Sequence, residues 1–332
     1  MRIITEIHPI KKFIPLSFFG IILGLVGIGD CWRVAVKIWG LPSYIGESIM
    51  LLAVIIWGIL LFNYIIKWIL SPNEALTELN HPVQSCFAGL IGVSTLLIAV
   101  AVEPYFINLS NVFFIAGTII QLAYGVYFTG LSFKGERDYN TITAAIYLPR
   151  VAGNLVNSFV AGYLGHAGLS VIFLGIGIFS WISLESVITN RLLLKSSLPE
   201  TLRPTMGILL APPAVGCVAY LFLNGKTGPV PDIFAKALFG YGLFMLLNLI
   251  RLIPWITKQP FSASYWAFSF GITAIALVSM IFIMRGLNGY IQWMAKGLFI
   301  FANFCILTLV IRTVHLLLSK KLLPPALPIL VK

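Results

Sequence analysis

Two ionisable residues, Arg150 and Glu185, lie inside long apolar stretches of the sequence. A charged side chain at the centre of a membrane-spanning helix costs about 2.5–3.5 kcal/mol on insertion scales, so each residue needs a partner or a function. Each lies about six residues, or roughly 9 Å of helix, from what would be the same membrane surface. Three interpretations are open: Arg150 pairs with Glu185, faces a central pathway and attracts an anion, or extends toward lipid headgroups.

The other residues that could do chemistry are scattered along the chain. Asp30, Arg33, Glu47 and Lys236 fall near the ends of apolar stretches, which is typical of a membrane interface. No histidines and carboxylates have the spacing of metal ligands, and no phosphate-binding loop is present. We therefore expect no metal, no cofactor and no enzymatic activity, although a Ser/His/Asp set is recognised by geometry and not by sequence. The four histidines are His8, His81, His166 and His315, and the four cysteines are Cys31, Cys86, Cys217 and Cys305.

The composition indicates what must position these residues. Of the 332 residues, 59% are hydrophobic and 10% are charged, whereas roughly 25% are charged in an average soluble domain. Ten helices of about 22 residues would occupy roughly two thirds of the chain. This composition excludes a soluble enzyme, a nucleic-acid-binding domain and a disordered protein, and the long apolar runs exclude an outer-membrane barrel. The predicted fold class is an all-α integral membrane protein.

The apolar runs predict ten transmembrane helices within residues 15–318. Residues 1–14 and 319–332 are then short terminal segments outside this membrane domain. The basic start of the chain could belong to a secretory signal, but its apolar run continues for about 20 residues without a cleavage site, so we interpret it as the first span. The predicted spans are about 15–36, 42–69, 83–102, 106–131, 144–165, 168–190, 204–223, 232–256, 260–285 and 290–318.

The distribution of Lys and Arg predicts the orientation of these spans. The net charge is +11. Fifteen of the 22 basic residues lie in the termini and even-numbered connections, six lie on the other side, and Arg150 lies within a span. Because positive charge accumulates in cytoplasmic loops, we expect both termini in the cytoplasm. An even number of spans also requires both termini to lie on the same side of the membrane.

The odd-numbered spans recur at intervals of about 60 residues, which indicates five repeated helical hairpins. Such hairpins can close into a ring with one helix of each inside and the other outside. Pro149 interrupts the fifth span, and Pro212 with Pro213 interrupts the seventh, whereas no even-numbered span has a proline near its middle. Broken helices are tolerated where the backbone faces protein or a water-filled cavity, which favours the odd-numbered spans as the inner set.

Seven short stretches, in order over nearly the whole chain, carry a family resemblance. They are FFGIILG (18–24), YLP (147–149), FSWISLE (179–185), MGILLAP (206–212), FGYG (239–242), RLIPW (251–255) and WAFSFG (266–271). Together they resemble the tellurite-resistance/dicarboxylate transporter family, which includes the plant guard-cell slow-type anion channels.

The resemblance implies ten helices in five hairpins, with the odd helices lining a central pore and the even helices outside. It also implies homotrimers with one pore per protomer and a phenylalanine of the ninth helix that plugs the pore, which the motif places at Phe270. Two residues depart from the family pattern, because a small neutral residue is expected at Arg150 and a proline at Ser186. The first departure weighs against an obligatory pair of Arg150 with Glu185. The residues expected to line the pore or adjoin the gate are Gly20, Gly24, Pro149, Arg150, Pro212 and Gly271.

Two functional hypotheses follow. The first is a gated anion channel of the cell inner membrane, associated with tellurite resistance, in which the scarcity of charge in the odd spans indicates weak binding and fast passage of small inorganic or organic anions. The second is a proton-coupled carrier for dicarboxylates or oxyanions such as tellurite. A carrier needs a protonatable group on the pathway, and the inner spans offer only Asp30. The scattered histidines argue against a third class, a membrane-embedded enzyme.

Overall fold

The computed structural model describes residues 13–135 and 137–323, and its regular secondary structure is helical throughout this part of the chain. The terminal segments predicted at 1–14 and 319–332 lie largely outside the described residues. The α-helices are α1 (Gly20–Trp39), α2 (Ser43–Leu70), α3 (Pro72–Asn80), α4 (Gln84–Val102), α5 (Ile107–Phe133), α6 (Gly153–Tyr163), α7 (Ala167–Leu194), α8 (Ala211–Phe222), α9 (Ile233–Ile256), α10 (Ser269–Met284) and α11 (Tyr290–Leu318).

Shorter non-α segments precede several of these helices. A π turn covers Leu148–Ala152 and leads directly into α6. The 3-10 segments are Leu16–Phe19, Tyr139–Thr141, Ala144–Ile146, Glu200–Leu210 and Ala263–Phe268.

Nine helical segments of the described chain are long and apolar enough to cross a membrane. They coincide with nine of the predicted spans. The predicted fifth span is occupied by the π turn and α6, which is only 11 residues long, so this span is a broken element instead of one helix.

Burial divides the helices into two layers. The most apolar windows of the segments containing α1, α4, α8 and α10 are 78–100% buried, whereas those of α2, α5, α7, α9 and α11 are 17–33% buried. Residues Gly153–Gly162 of α6 are all buried. We call α1, α4, α6, α8 and α10 the inner helices and the other five long helices the outer helices. The outer helices expose large apolar side chains, as lipid-facing helices do.

The inner helices form a closed ring. Helix α1 packs against α10 and α4, α4 packs against α6, α6 against α8, and α8 against α10. Each inner helix also packs against the outer helix that follows it in the chain. The prediction of an all-helical membrane fold of hairpins, with odd spans inside and even spans outside, is confirmed.

The connection predicted as a loop after the second span contains a short helix, α3. Pro72 stands in its first turn, where the missing amide hydrogen is not needed. Lys67 of α2 contacts Glu78 at 2.7 Å and Glu74 at 3.6 Å, and Glu78 also accepts from the Leu16 amide at 2.8 Å. The acidic residues that suggest a solvated loop in the sequence therefore connect α3 to α2 and to the beginning of the first span.

Candidate functional site

A small cavity lies on the axis of the ring of inner helices. Its volume is about 30 Å³, enough for about two water molecules. All five inner spans contribute to its wall, which includes Leu23, Leu90, Leu148, Ala152, Ile208 and Phe270.

The chemistry of this wall opposes the passage of ions in the observed conformation. Apart from Ser17 and Ser264, the lining side chains are hydrocarbon or aromatic, or are absent as in Gly20. An ion that enters would lose its hydration shell without gaining equivalent partners, which is costly. The cavity on the axis is therefore small and apolar.

Phe270 lies in the first turn of α10 and its ring forms part of the cavity wall. The residue is 9% exposed. The start of α10 is held by two hydrogen bonds: Trp266 Nε1 donates to Thr313 Oγ1 of α11 at 2.9 Å, and Ser269 Oγ donates to the Trp266 carbonyl at 2.7 Å. The backbone that carries Phe270 is thus anchored to the outer layer.

Four inner α-helices begin at the level of the cavity. Helices α1, α6, α8 and α10 each follow a 3-10 segment or π turn, and Gly20, Ala152, Ala211 and Phe270 line the cavity at these starts. The partial positive charge of a helix lies at the start of its continuous helical segment, which is Leu16 for α1 and Ala263 for α10, and it favours an anion over a cation nearby. The sequence indicates breaks near Pro149 and Pro212 but contains no proline signal for the break before α10.

The break at Pro149 is accommodated by neighbouring helices. Gln121 Nε2 of α5 donates to the Pro149 carbonyl at 2.6 Å, which satisfies an acceptor that the π turn releases. Gly89 of α4 leaves room for the turn, because a Cβ there would lie 2.9 Å from the Pro149 Cα. Pro149 therefore faces α4 and α5, while the adjacent Leu148 lines the cavity. Gln121 was missed by the sequence reasoning, although an amide within an apolar run was a usable signal.

Pro212 and Pro213 stand in the first turn of α8. Proline is well tolerated there, so these residues mark the start of the α-helix and do not interrupt its middle. The irregular part of this span is the preceding 3-10 segment, Glu200–Leu210. The cavity residues of this span are Ile208 and Ala211, not Pro212 as predicted.

Gly24 and Gly271, which were predicted near the gate, lie at contacts between inner helices. A Cβ at Gly24 would lie 2.6 Å from Ser269 Cβ, and one at Gly271 would lie 2.8 Å from Leu210 Cβ. Gly20 differs, because a Cβ there would meet only Trp266 Cβ, at 3.7 Å. Gly24 and Gly271 therefore allow close helix packing, as small residues do in membranes, whereas Gly20 leaves open space on the axis.

Arg150 points away from the cavity. Its Nη2 donates to Ser183 Oγ of α7 at 3.0 Å, and its guanidinium carbon lies 5.7 Å from the centroid of the Phe133 ring of α5. The side chain thus lies between two outer helices. The structure does not support the expectation that Arg150 lines the pore, because the residue follows the π turn and projects outward from it.

The predicted ion pair of Arg150 with Glu185 is not formed between these two described residues. Glu185 instead accepts hydrogen bonds from the Tyr147 hydroxyl, from Trp181 Nε1 at 2.8 Å and from the Tyr241 hydroxyl at 3.1 Å. The carboxylate therefore joins α7 to α9 and to the residue that precedes Leu148 in the cavity wall. The sequence did not indicate the two tyrosine donors, because they come from spans other than that of Glu185, whereas Trp181 lies four residues before Glu185 on α7.

A charged cluster lies at the end of the ring opposite the helix breaks. Arg33 donates to both carboxylate oxygens of Glu47, at 2.8 and 2.7 Å, and to the carbonyls of Val100 and Ala101. Lys226 contacts Glu103 at 2.8 Å. These contacts link the ends of α1, α2 and α4 to the loop after α8.

Two of the histidines in the described segments, His81 and His166, have structural partners. His81 Nδ1 accepts from the amides of Val83 and Gln84, both at 3.1 Å, which caps the start of α4, and burial lowers the pKa of His81. His166 stacks on Phe114 with ring centroids 5.5 Å apart. Within residues 13–135 and 137–323, no three His, Cys, Asp or Glu residues are placed to bind a metal ion.

A closed ring of apolar helices, surrounded by a lipid-facing layer and enclosing an axial cavity, defines a multi-pass membrane transport protein. The chain belongs to the SLAC1 family, described as voltage-dependent anion channels, whose family model matches residues 14–314. It is therefore a member of a family of membrane anion channels and transporters, as the motif resemblance predicted.

Individual relatives agree with this assignment. The chain is 31% identical to a tellurite resistance protein TehA homolog of Haemophilus influenzae over 303 residues, which cover 91% of this chain and 90% of the relative. It is 27% identical to an uncharacterized transporter of Methanocaldococcus jannaschii, over 81% of this chain and 83% of that one. It is 23% identical to the guard cell S-type anion channel SLAC1 of Arabidopsis thaliana, over 83% of this chain and half of the plant protein.

Proposed function

We propose that the protein is a gated anion channel of the cell inner membrane, associated with tellurite resistance, and that the Phe270 ring closes its pore. The observation that carries this proposal is the position of Phe270 in the wall of an axial cavity of about 30 Å³ to which all five inner spans contribute. An aromatic ring across so narrow an apolar lumen excludes water and raises the barrier to ions.

Two features support anions as the permeating species. The continuous helical segments that contain α1 and α10 begin at Leu16 and Ala263, and Ser17, Ala263 and Ser264 line the cavity, so the partially positive ends of two inner segments lie close to the pathway. In the predicted topology most of the basic residues lie on the cytoplasmic side, where their excess over the acidic residues would raise the local anion concentration. The apolar wall offers no strong binding site, which suits fast passage.

The test is the conductance of Phe270→Ala in planar bilayers. We expect the chloride current per inserted protein to rise by at least about tenfold, which corresponds to lowering the barrier by about 1.4 kcal/mol. Phe268→Ala is the matched control, because Phe268 belongs to the same span but packs against Gly207. An unchanged current in Phe270→Ala, with the protein intact by size-exclusion chromatography, would refute gating by this ring.

A proton-coupled carrier is the second candidate, because Asp30 is a buried carboxylate on an inner helix. A carrier would accumulate dicarboxylate or tellurite against its gradient when only a pH gradient is applied to proteoliposomes. Through a channel, the anion would instead reach the distribution that is in equilibrium with the membrane potential. Uphill uptake driven by pH alone would therefore favour the carrier.

The proposed channel has ten transmembrane helices within residues 15–318 and both termini in the cytoplasm, and it assembles as a homotrimer. The excess of Lys and Arg on one side supports the orientation. Labelling of single introduced cysteines from either side of the membrane tests the topology, and native mass spectrometry of the detergent-solubilised protein tests the trimer.

A further inference from the structure

Asp30 is the only acidic residue of α1, and it is 8% exposed. None of the described residues makes a hydrogen bond or an ion pair with its carboxylate. A carboxylate without a partner is unusual in the inner layer of a membrane protein and marks a position with a function.

The packing of α1 fixes the direction in which Asp30 points. One face meets α10, where Gly24 approaches Ser269 and Cys31 Sγ donates to the Thr273 carbonyl at 3.3 Å. A second face, about 100° around the helix from Cys31, meets the outer layer, where Trp32 Nε1 donates to Asn303 Oδ1 of α11 at 2.9 Å. Asp30 lies about 160° around the helix from Trp32 and therefore faces away from the outer layer.

The cavity supplies an independent reference for the same direction. Leu23 lines the axial cavity. Asp30 follows Leu23 by seven residues, which is close to two full helical turns, so the two side chains share one face of α1. Since Ser269 is level with Gly24, Asp30 lies about 9 Å beyond the level of Ser269 and about 7.5 Å beyond that of Phe270 along the axis.

The charged groups that act on Asp30 are largely committed to other partners. Arg33 of α1 is bound to Glu47 of α2 and to two carbonyls of α4, and Lys226 of the loop after α8 contacts Glu103 at 2.8 Å. The Tyr163 hydroxyl of α6 donates to Glu103 at 3.3 Å, and Arg285 after α10 donates to the Gly225 carbonyl at 3.2 Å. Arg33 and Lys226 are thus each paired with another carboxylate, and Arg285 binds a backbone carbonyl, so none of these three cations forms an ion pair with Asp30.

We propose that Asp30 is a charge barrier in the outer half of the lumen, which limits the flux of anions that have passed Phe270. This inference rests on the proposed channel function and deepens it, because it assigns a determinant of conductance and ion selectivity separate from the aromatic gate. A single negative charge in the narrow lumen repels each permeating anion and attracts cations.

The test compares three variants in planar bilayers with chloride: Phe270→Ala, Phe270→Ala with Asp30→Asn, and Phe270→Ala with Asp232→Asn. Asparagine has nearly the same shape as aspartate, so the change removes charge and little else. Asp232 is the control, since it lies just before α9 and its Oδ1 accepts from the Ala235 amide at 2.9 Å, which lowers the pKa of its carboxyl. Asparagine keeps this helix cap.

We expect Asp30→Asn to increase the single-channel chloride conductance about threefold, the effect of removing one charge about 7 Å from the ion even at the dielectric constant of water. The anion-to-cation permeability ratio should increase with it, and the Asp232 control should match Phe270→Ala. A conductance and ratio unchanged by Asp30→Asn would overturn the charge barrier alone. Absence of current in every variant would instead contradict the channel itself, so the two failures are distinguishable.

Discussion

At the scale of single residues, the site separates side chains on the axis from side chains that hold the walls in place. Phe270 and Leu148 line the cavity, whereas Glu185 and Gln121 lie behind the wall and bind the segments that carry it. The motif resemblance predicted the first kind by position in the chain. It could not assign the second kind, because their partners are distant in sequence.

Arg150 gives a prediction at this scale. Its guanidinium contacts Ser183 and the Phe133 ring between two outer helices. We therefore expect Arg150→Ala, in the Phe270→Ala background, to leave the anion-to-cation permeability ratio unchanged. Reversal potentials in a salt gradient measure this ratio. A marked fall in the ratio would place the guanidinium in the pathway and contradict the outward position.

Glu185 gives a second prediction, on stability. Replacement by glutamine exchanges a charged acceptor for a neutral one, and a hydrogen bond to a charged group contributes about 1.5–3 kcal/mol against about 0.5–1.5 kcal/mol for a neutral pair. Glu185→Gln should therefore lower the unfolding temperature in detergent, and Tyr241→Phe, which removes one hydrogen bond at 3.1 Å, should lower it less. Equal unfolding temperatures for Glu185→Gln and the parent protein would show that these hydrogen bonds contribute little.

At the scale of the helices, the sequence predicts the spans well and their internal breaks only partly. Long apolar runs are sufficient to locate helices that cross a membrane. The π turn at Leu148–Ala152 and the 3-10 segment at Ala263–Phe268 depend on partners in other helices, such as Gln121 for the first and Thr313, through Trp266, for the second. In the sequence, Pro149 indicates the break before α6, whereas no residue type indicates the break before α10.

The π turn gives a prediction for Gln121. Gln121→Leu removes the donor to the buried Pro149 carbonyl, so we expect a loss of about 1–3 kcal/mol of stability. Thermal unfolding monitored by circular dichroism measures this loss. Gln84→Leu is the control, because Gln84 is also a glutamine of a membrane-spanning helix and its side-chain oxygen has no hydrogen-bond partner among the described residues. A control that is as damaging as Gln121→Leu would contradict the specific role.

The glycines of α1 give a prediction about helix packing. A Cβ at Gly24 would lie 2.6 Å from Ser269, whereas a Cβ at Gly20 would lie 3.7 Å from Trp266. Gly24→Ala should therefore force α1 and α10 apart and reduce the yield of folded protein, while Gly20→Ala should fold normally. Size-exclusion chromatography and thermal unfolding distinguish the two. Equal behaviour of the variants would contradict the packing described between α1 and α10.

At the scale of the whole molecule, five hairpins place one apolar layer against lipid and a second layer around the axis. The repeat of about 60 residues indicated hairpins, but closure of the ring could not be read from the sequence because it depends on the contact of the first inner helix with the last. In the structure α1 packs directly on α10 through Gly24 and Gly27. The aromatic ring and the carboxylate that we propose as barriers on the axis are both carried by these two helices.

The central claim, that the size of one side chain closes the lumen, is tested most directly by a graded series at position 270. Chloride conductance in planar bilayers should increase in the order Phe270, Phe270→Leu, Phe270→Val and Phe270→Ala, because each step removes more of the obstruction from the same backbone position. A conductance that is the same for all four proteins, or that changes without relation to side-chain size, would contradict closure by Phe270.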